Sequence, residues 1–155
     1  MTYVPDRLLA YRPLIILGWI DVLALFLQLQ FNLPNTLNVG FHLVIHGLIF
    51  MENIRWGAQV CEFVEADKKT AVYAIVVVCN ASFVVVFLNL IGLVDISITG
   101  MLFLTVFFII FNGYRDNLLS GSPFPMSGLS ANYLATTLVS YGLLFWAIAR
   151  AVARY

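Results

Sequence analysis

The stretch Asn38-Val-Gly-Phe-His42-Leu-Val-Ile-His46-Gly-Leu-Ile-Phe-Met-Glu52-Asn53-Ile-Arg55-Trp56 decides how the chain is read. Asn38, His42, His46 and Asn53 follow one another at intervals of 4, 4 and 7 residues. A helix turns once every 3.6 residues, so those intervals put all four on one face. Most residues between them are apolar, which leaves a single polar stripe on an otherwise greasy helix. Glu52, Arg55, Gln59 and Glu62 form an adjoining stripe. Polar side chains are costly in lipid, so this face has to look into protein or a cavity.

The remainder of the chain agrees with a lipid solvent. Of 155 residues, 62% are hydrophobic and 10% are charged, against roughly 45–50% and about 25% in an average soluble domain. Mean hydropathy is +0.95. Eight basic and eight acidic residues are too few to cover a soluble exterior of this size. Net charge is zero and no basic run is present, which argues against nucleic acid as a partner. The partners expected are membrane lipids, including bound ones, and other membrane subunits. Cys61 and Cys79 make no CxxC motif and read as apolar filler. No signal or transit peptide is evident, and the N-terminus is expected to be mature.

A spanning helix needs about 20 mostly apolar residues. About five segments meet that need: 13–31, 36–56 with a possible extension to 65, 70–94, 96–114 and 131–149. Pro13 suits a first helical position, Asn35 the cap of the second helix, and Asp95 the cap of the fourth. The Pro- and Gly-containing stretch 115–130 reads as the main loop. The fold class is therefore all-α: a polytopic transmembrane helical bundle, one integral membrane domain over 1–155. Short connections predict two antiparallel hairpins, helices 1–2 and 3–4, plus a C-terminal helix. Five spans place Arg7, Arg12, Arg55, Lys68, Lys69 and Arg115 on one side and Arg150 and Arg154 on the other. The basic excess puts the N-terminus on the cytoplasmic or matrix side. A C-terminal helix lying along the interface would instead bring all eight basic residues to that side. Trp56, Tyr114, Tyr141 and Trp146 are placed to anchor at interfaces. Ala147 and Ala151 allow close helix approach. The phenylalanines of helix 4 read as lipid and packing contacts.

The polar face of helix 2 is expected to meet Asp21 and Gln28 on helix 1 and Asn80 and Asn89 on helix 3. Asp21 is expected near the depth of Glu52, and so to pair with Arg55. Three roles fit His42 and His46. They bond helices together; they ligate haem b or another metal; or they serve a quinone or proton path with Asp21 and Glu52. In sequence, no carboxylate completes a known metal motif such as HExxH. The proton or polar network comprises Asp21, Glu52, Asn53, Arg55 and Asn80.

Helix 2 and its sequel resemble the cytochrome-b anchor subunits of succinate dehydrogenase. The matching pieces are His42 or His46, then Glu62-Phe-Val-Glu65-Ala-Asp67-Lys68-Lys69. The resemblance implies a haem b ligated by a histidine. The location expected is the mitochondrial inner membrane or another energy-transducing membrane. It covers under a third of the chain. The family's Arg-His and Asp-Tyr or Asp-Phe-Gly landmarks are absent here, and such anchors have three spans. No Walker loop, GxSxG or Ser-His-Asp arrangement is legible. The expected function is an accessory or anchor subunit of a larger membrane complex. The alternatives are a redox protein using His42 and His46, and a small proton or ion conductor.

Overall fold

The computed structural model describes residues 4–90, 92–95, 97–120 and 127–153, without the side chains at 35, 38, 82, 83, 86, 87, 90, 98, 101 and 120. The described residues form helices and no strand: α1 (Asp6–Leu9), α2 (Arg12–Phe31), α3 (Asn35–Cys61), α4 (Ala66–Leu90), α5 (Ile98–Ser120) and α6 (Gly128–Val152). Among them, three stretches are long and apolar enough to cross a membrane: Asp6–Phe31, Leu102–Leu119 and Gly128–Val152.

Local chemistry sets the ends. Pro13 sits in the first turn of α2, where its missing N–H costs no bond. Asn32 closes α2 in the left-handed region at φ 48°, which asparagine tolerates better than most residues. Pro34, not Asn35, occupies the cap position of α3, and Asn35 is already helical. Ser97 rather than Asp95 caps α5: its hydroxyl accepts from Gly100 N–H at 3.1 Å. The largest departure from expectation is at the other end of α5. The helix does not stop at Tyr114 but runs to Ser120, absorbing Arg115–Leu119 from the expected loop. Of the expected loop, residues 121–126, with Gly121, Pro123 and Pro125, lie outside the described residues. On its far side Ser127 caps α6, accepting from Ser130 N–H at 3.2 Å.

The tightest pairings are α3 with α4, α2 with α6 and α2 with α3; α5 leans on α6. The first expected hairpin is thus present as α2–α3. Among the described residues α4 packs mainly on α3 and α5 on α6. The α2–α6 pair is parallel: Gly128 meets Ala10 at one end, and Arg150 donates to Gln30 Oε1 at 2.7 Å at the other.

The main core gathers at the end where α2, α4 and α6 begin and α3 and α5 finish. It comprises Leu8, Trp56, Val60, Cys61, Val64, Val72, Ile75, Val76, Leu119 and Leu129, with Val4. A smaller cluster of Ala24, Ile45 and Ile49 joins α2 to α3. Trp56, expected as an interfacial anchor, is instead 3% exposed and donates its Nε1–H to Leu8 O at 2.8 Å. Outward-facing positions are apolar on every long helix, for example Ile16, Leu43, Val77, Ile110 and Ile148.

Close approach depends on glycine more than on the expected alanine pair. Ala147 and Ala151 line a cavity of about 420 Å3 with Gln28, Gln30, Asn32 and Arg150. A Cβ on Gly128 would stand 2.5 Å from Ala10 Cβ and 3.0 Å from Ala10 Cα; one on Gly57 would stand 2.5 Å from Val76 Cγ2. Gly128→Ala and Gly57→Ala should each cost about 1–3 kcal/mol by overpacking. Gly142→Ala, which meets nothing within 4 Å, should be neutral or stabilising by up to about 1 kcal/mol. Thermal unfolding of the three variants in one detergent checks the order; equal melting temperatures would refute the close contacts.

Candidate functional site

A tight turn mirrors one helix onto the next. The α2–α3 turn is centred near Leu33. Asp21 lies 12 residues before Leu33, and the position 12 residues after it is Ile45, between His42 and His46. The expected Asp21–Arg55 pair is therefore not formed, because Arg55 mirrors onto the start of α2. Asp21 meets the two histidines instead. Its Oδ1 lies 2.8 Å from His42 Nδ1 and 3.4 Å from His46 Nε2. Four-residue spacing stacks the imidazoles along α3, with ring centroids 5.7 Å apart and planes tilted by 57°.

The three side chains differ in exposure. His42 is 5% exposed and His46 8%, while the Asp21 side chain is about one-third exposed. The carboxylate thus forms the open side of a buried cluster. His42 Nε2 is buried with no hydrogen-bond partner among the described residues.

The other polar residues sort into separate groups. Asn53 Nδ2 donates to Asn80 Oδ1 at 3.1 Å, tying α3 to α4 as the helical face predicts. Glu52 accepts from Tyr11 Oη at 2.8 Å and from Arg55 Nη1 at 2.7 Å. The Arg55 side chain is largely exposed, so this ion pair is worth at most about 1 kcal/mol. Gln59 and Glu62 are exposed, and Gln28 and Asn89 half-buried. The Asn38 side chain lies outside the described residues. The sequence-predicted network is therefore three contacts at different depths rather than one continuous chain: Asp21–His42–His46, Asn53–Asn80 and Tyr11–Glu52–Arg55.

A fourth group had no place in the sequence reading. Arg115 and Asp116 are buried, Asp116 at 2% exposure. Arg115 Nη2 reaches Asp116 Oδ1 at 3.3 Å and donates to Ser130 Oγ at 2.8 Å and Ser127 Oγ at 3.4 Å. Asp116 Oδ2 accepts from Ser127 N–H at 2.8 Å. The Arg115 guanidinium also stands 5.8 Å from the Trp56 ring centroid. These bonds pin the start of α6 to the end of α5 beneath the main core. The signal was in the sequence: Asn112, Arg115, Asp116 and Leu119 repeat at helical intervals, although the Asn112-Gly113 pair among them is itself a turn signal.

Asp21, His42 and His46 form a group of metal-ligating residue types, each offering one ligand atom, with those atoms within 4.8 Å of one another. A haem or quinone needs a pocket of about 300–1,000 Å3. The 420 Å3 cavity, and a second of about 280 Å3 lined by Trp19, Val22, Leu23, Phe26, Val139 and Leu143, touch neither histidine. The chain matches no protein-family model, no curated protein and no solved structure.

Removing one partner of a buried charge pair leaves the other unneutralised, at about 3–5 kcal/mol. Arg115→Met should therefore lower the melting temperature more than Arg55→Met, whose exposed pair should cost no more than about 1 kcal/mol. Differential scanning fluorimetry in detergent compares them; equal losses would show that burial of Arg115 contributes nothing.

Proposed function

We propose that the chain is a five-span integral membrane protein, with α2 to α6 as the spans, that serves as an accessory or anchor subunit of a larger membrane complex. The observation that carries this reading is an inverted polarity. Large apolar side chains cover the outside, among them Leu23, Val44, Val77, Phe103, Ile110 and Phe145, while His42, His46, Asn53, Asn80, Arg115 and Asp116 are buried. Water would favour the reverse arrangement; lipid favours this one.

The subunit role draws on α5. Phe103, Val106, Ile110 and Tyr114 are exposed on it at intervals of three or four residues, and among the described residues its packing within the chain is thinner than that of α2, α3 or α4. An apolar ridge of this kind suits acyl chains or a helix of another membrane subunit. Haem b or a quinone at His42 and His46 is the alternative. The ring orientation favours it less, because each histidine turns a nitrogen towards Asp21.

Arg7, Arg12, Arg55, Lys68 and Lys69 gather at the end that carries the N-terminus, and Arg150 lies at the opposite end. In this reading the N-terminal end faces the cytoplasm or matrix.

Two measurements test the proposal. Reporters fused to the two termini should fall on opposite sides of the membrane; the same side would remove the fifth span. The chain, released in mild detergent and run on a native gel, should migrate with other membrane subunits. Migration as a free protein of 17.4 kDa plus detergent would remove the subunit role.

A further inference from the structure

We propose that Asp21, His42 and His46 form a three-ligand site for one divalent transition-metal ion of the zinc class. The inference is independent of the subunit role, since it rests on the cluster alone.

Ligand type is the first argument. Two imidazoles and one carboxylate suit zinc, cobalt, nickel, copper or ferrous iron, whereas calcium and magnesium favour all-oxygen sets. Geometry is the second. Ligands about 2.0–2.1 Å from a tetrahedral ion stand roughly 3.3 Å from one another. Asp21 Oδ1 already lies 2.8 Å from His42 Nδ1 and 3.4 Å from His46 Nε2. Those two edges are within about half an ångström of that value, while the two histidine ligand atoms lie within 4.8 Å of each other, so binding would draw the imidazoles together by up to about 1.5 Å. The two histidines share one rigid helix at the four-residue spacing that lets imidazoles grip one ion, and the carboxylate comes from the neighbouring helix.

The rival reading is a carboxylate that merely accepts from two imidazoles. In that arrangement both donors crowd one oxygen, and the His46 distance of 3.4 Å exceeds the usual N–H···O range of about 2.7–3.2 Å. His42 Nε2 also has no hydrogen-bond partner among the described residues. Neither tautomer of His42 gains a bond at that nitrogen. Turning the Nδ1 lone pair to an ion moves the ring proton to Nε2 and exchanges the bond to Asp21 for one to the ion, so Nε2 is unpartnered in both arrangements and the choice between them rests on the Asp21 geometry. Both histidines are more than nine-tenths buried, and Asp21 is partly exposed. The ion would enter on the Asp21 side and keep a fourth position there for water.

The test uses the full chain, freed of any affinity tag, treated with chelator and purified in detergent. Cobalt(II) is titrated and its visible ligand-field bands are followed. The expected result is saturation at one ion per chain, displacement of cobalt by zinc, and a higher melting temperature with zinc. His42→Ala and His46→Ala should abolish the bands. Asp21→Asn keeps a side chain that hydrogen-bonds imidazole and should weaken affinity at least 10-fold. If a histidine variant fails to fold, Asp21→Asn decides: unchanged affinity overturns the site. Absence of saturable bands, bands surviving in both histidine variants, or sulfur-to-cobalt charge transfer from Cys61 or Cys79 would each overturn it as well.

Discussion

Polar side chains on helices with apolar exteriors have to find their partners inside the chain, and that constraint fixes how these helices sit. Burial of apolar surface separates few arrangements here, because Leu, Val and Phe face outward as readily as inward. In lipid, greasy contacts between helices gain little over contacts with acyl chains. What distinguishes one arrangement from another is where Asp21, Asn80 and Arg115 end. A slide of α2 along α3 by one turn, about 5.4 Å, would leave the carboxylate beside at most one imidazole. A turn of α4 about its axis would separate Asn80 from Asn53. Each polar contact sets one degree of freedom that packing alone leaves loose.

The two ends of the assembly are built differently. Where the basic residues gather, Trp56, Val60, Val72 and Leu119 close into a core with Leu8 from the short α1, and the Arg115–Asp116 pair sits against it. At the other end the chain is open. Gln30, Asn32 and Arg150 border a cavity of about 420 Å3, and the Arg150 guanidinium lies 4.7 Å from the Trp146 ring centroid, with Phe26 stacked on the same ring at 6.4 Å. The buried core is concentrated at one end, and the Asp21 cluster lies between that end and the cavity.

Much of this was legible in the order of residues. The 4, 4, 7 spacing on α3 marks a face, and His42, His46 and Asn53 are buried together on it. The partner of Asp21 was legible in principle, because reflection through Leu33 sends it to Ile45; matching its depth to that of Glu52 sent it to Arg55 instead. Arg115 and Asp116 were hidden for another reason. Adjacent opposite charges beside a stretch rich in serine, glycine and proline look like solvent-exposed loop. Only the continued helical interval from Asn112 to Leu119 argues otherwise, and what makes burial tolerable, the hydroxyls of Ser127 and Ser130, comes from beyond the loop. The pairing of α2 with α6 had no local signal. It depends on the notches at Gly18 and Gly128, which acquire meaning only once another helix lies in them.

That parallel pairing has a consequence for the order of assembly. Parallel neighbours cannot be joined by a hairpin, so the partner strip of α2 is supplied by α6, which is made only after three intervening helices. Gln30 and Arg150 are 120 residues apart in the chain. Throughout translation of α3, α4 and α5, the flank of α2 around Gly18 stays uncovered. The nascent chain thus carries an unfinished seam until α6 emerges, and truncation within α6 would leave that seam permanently open.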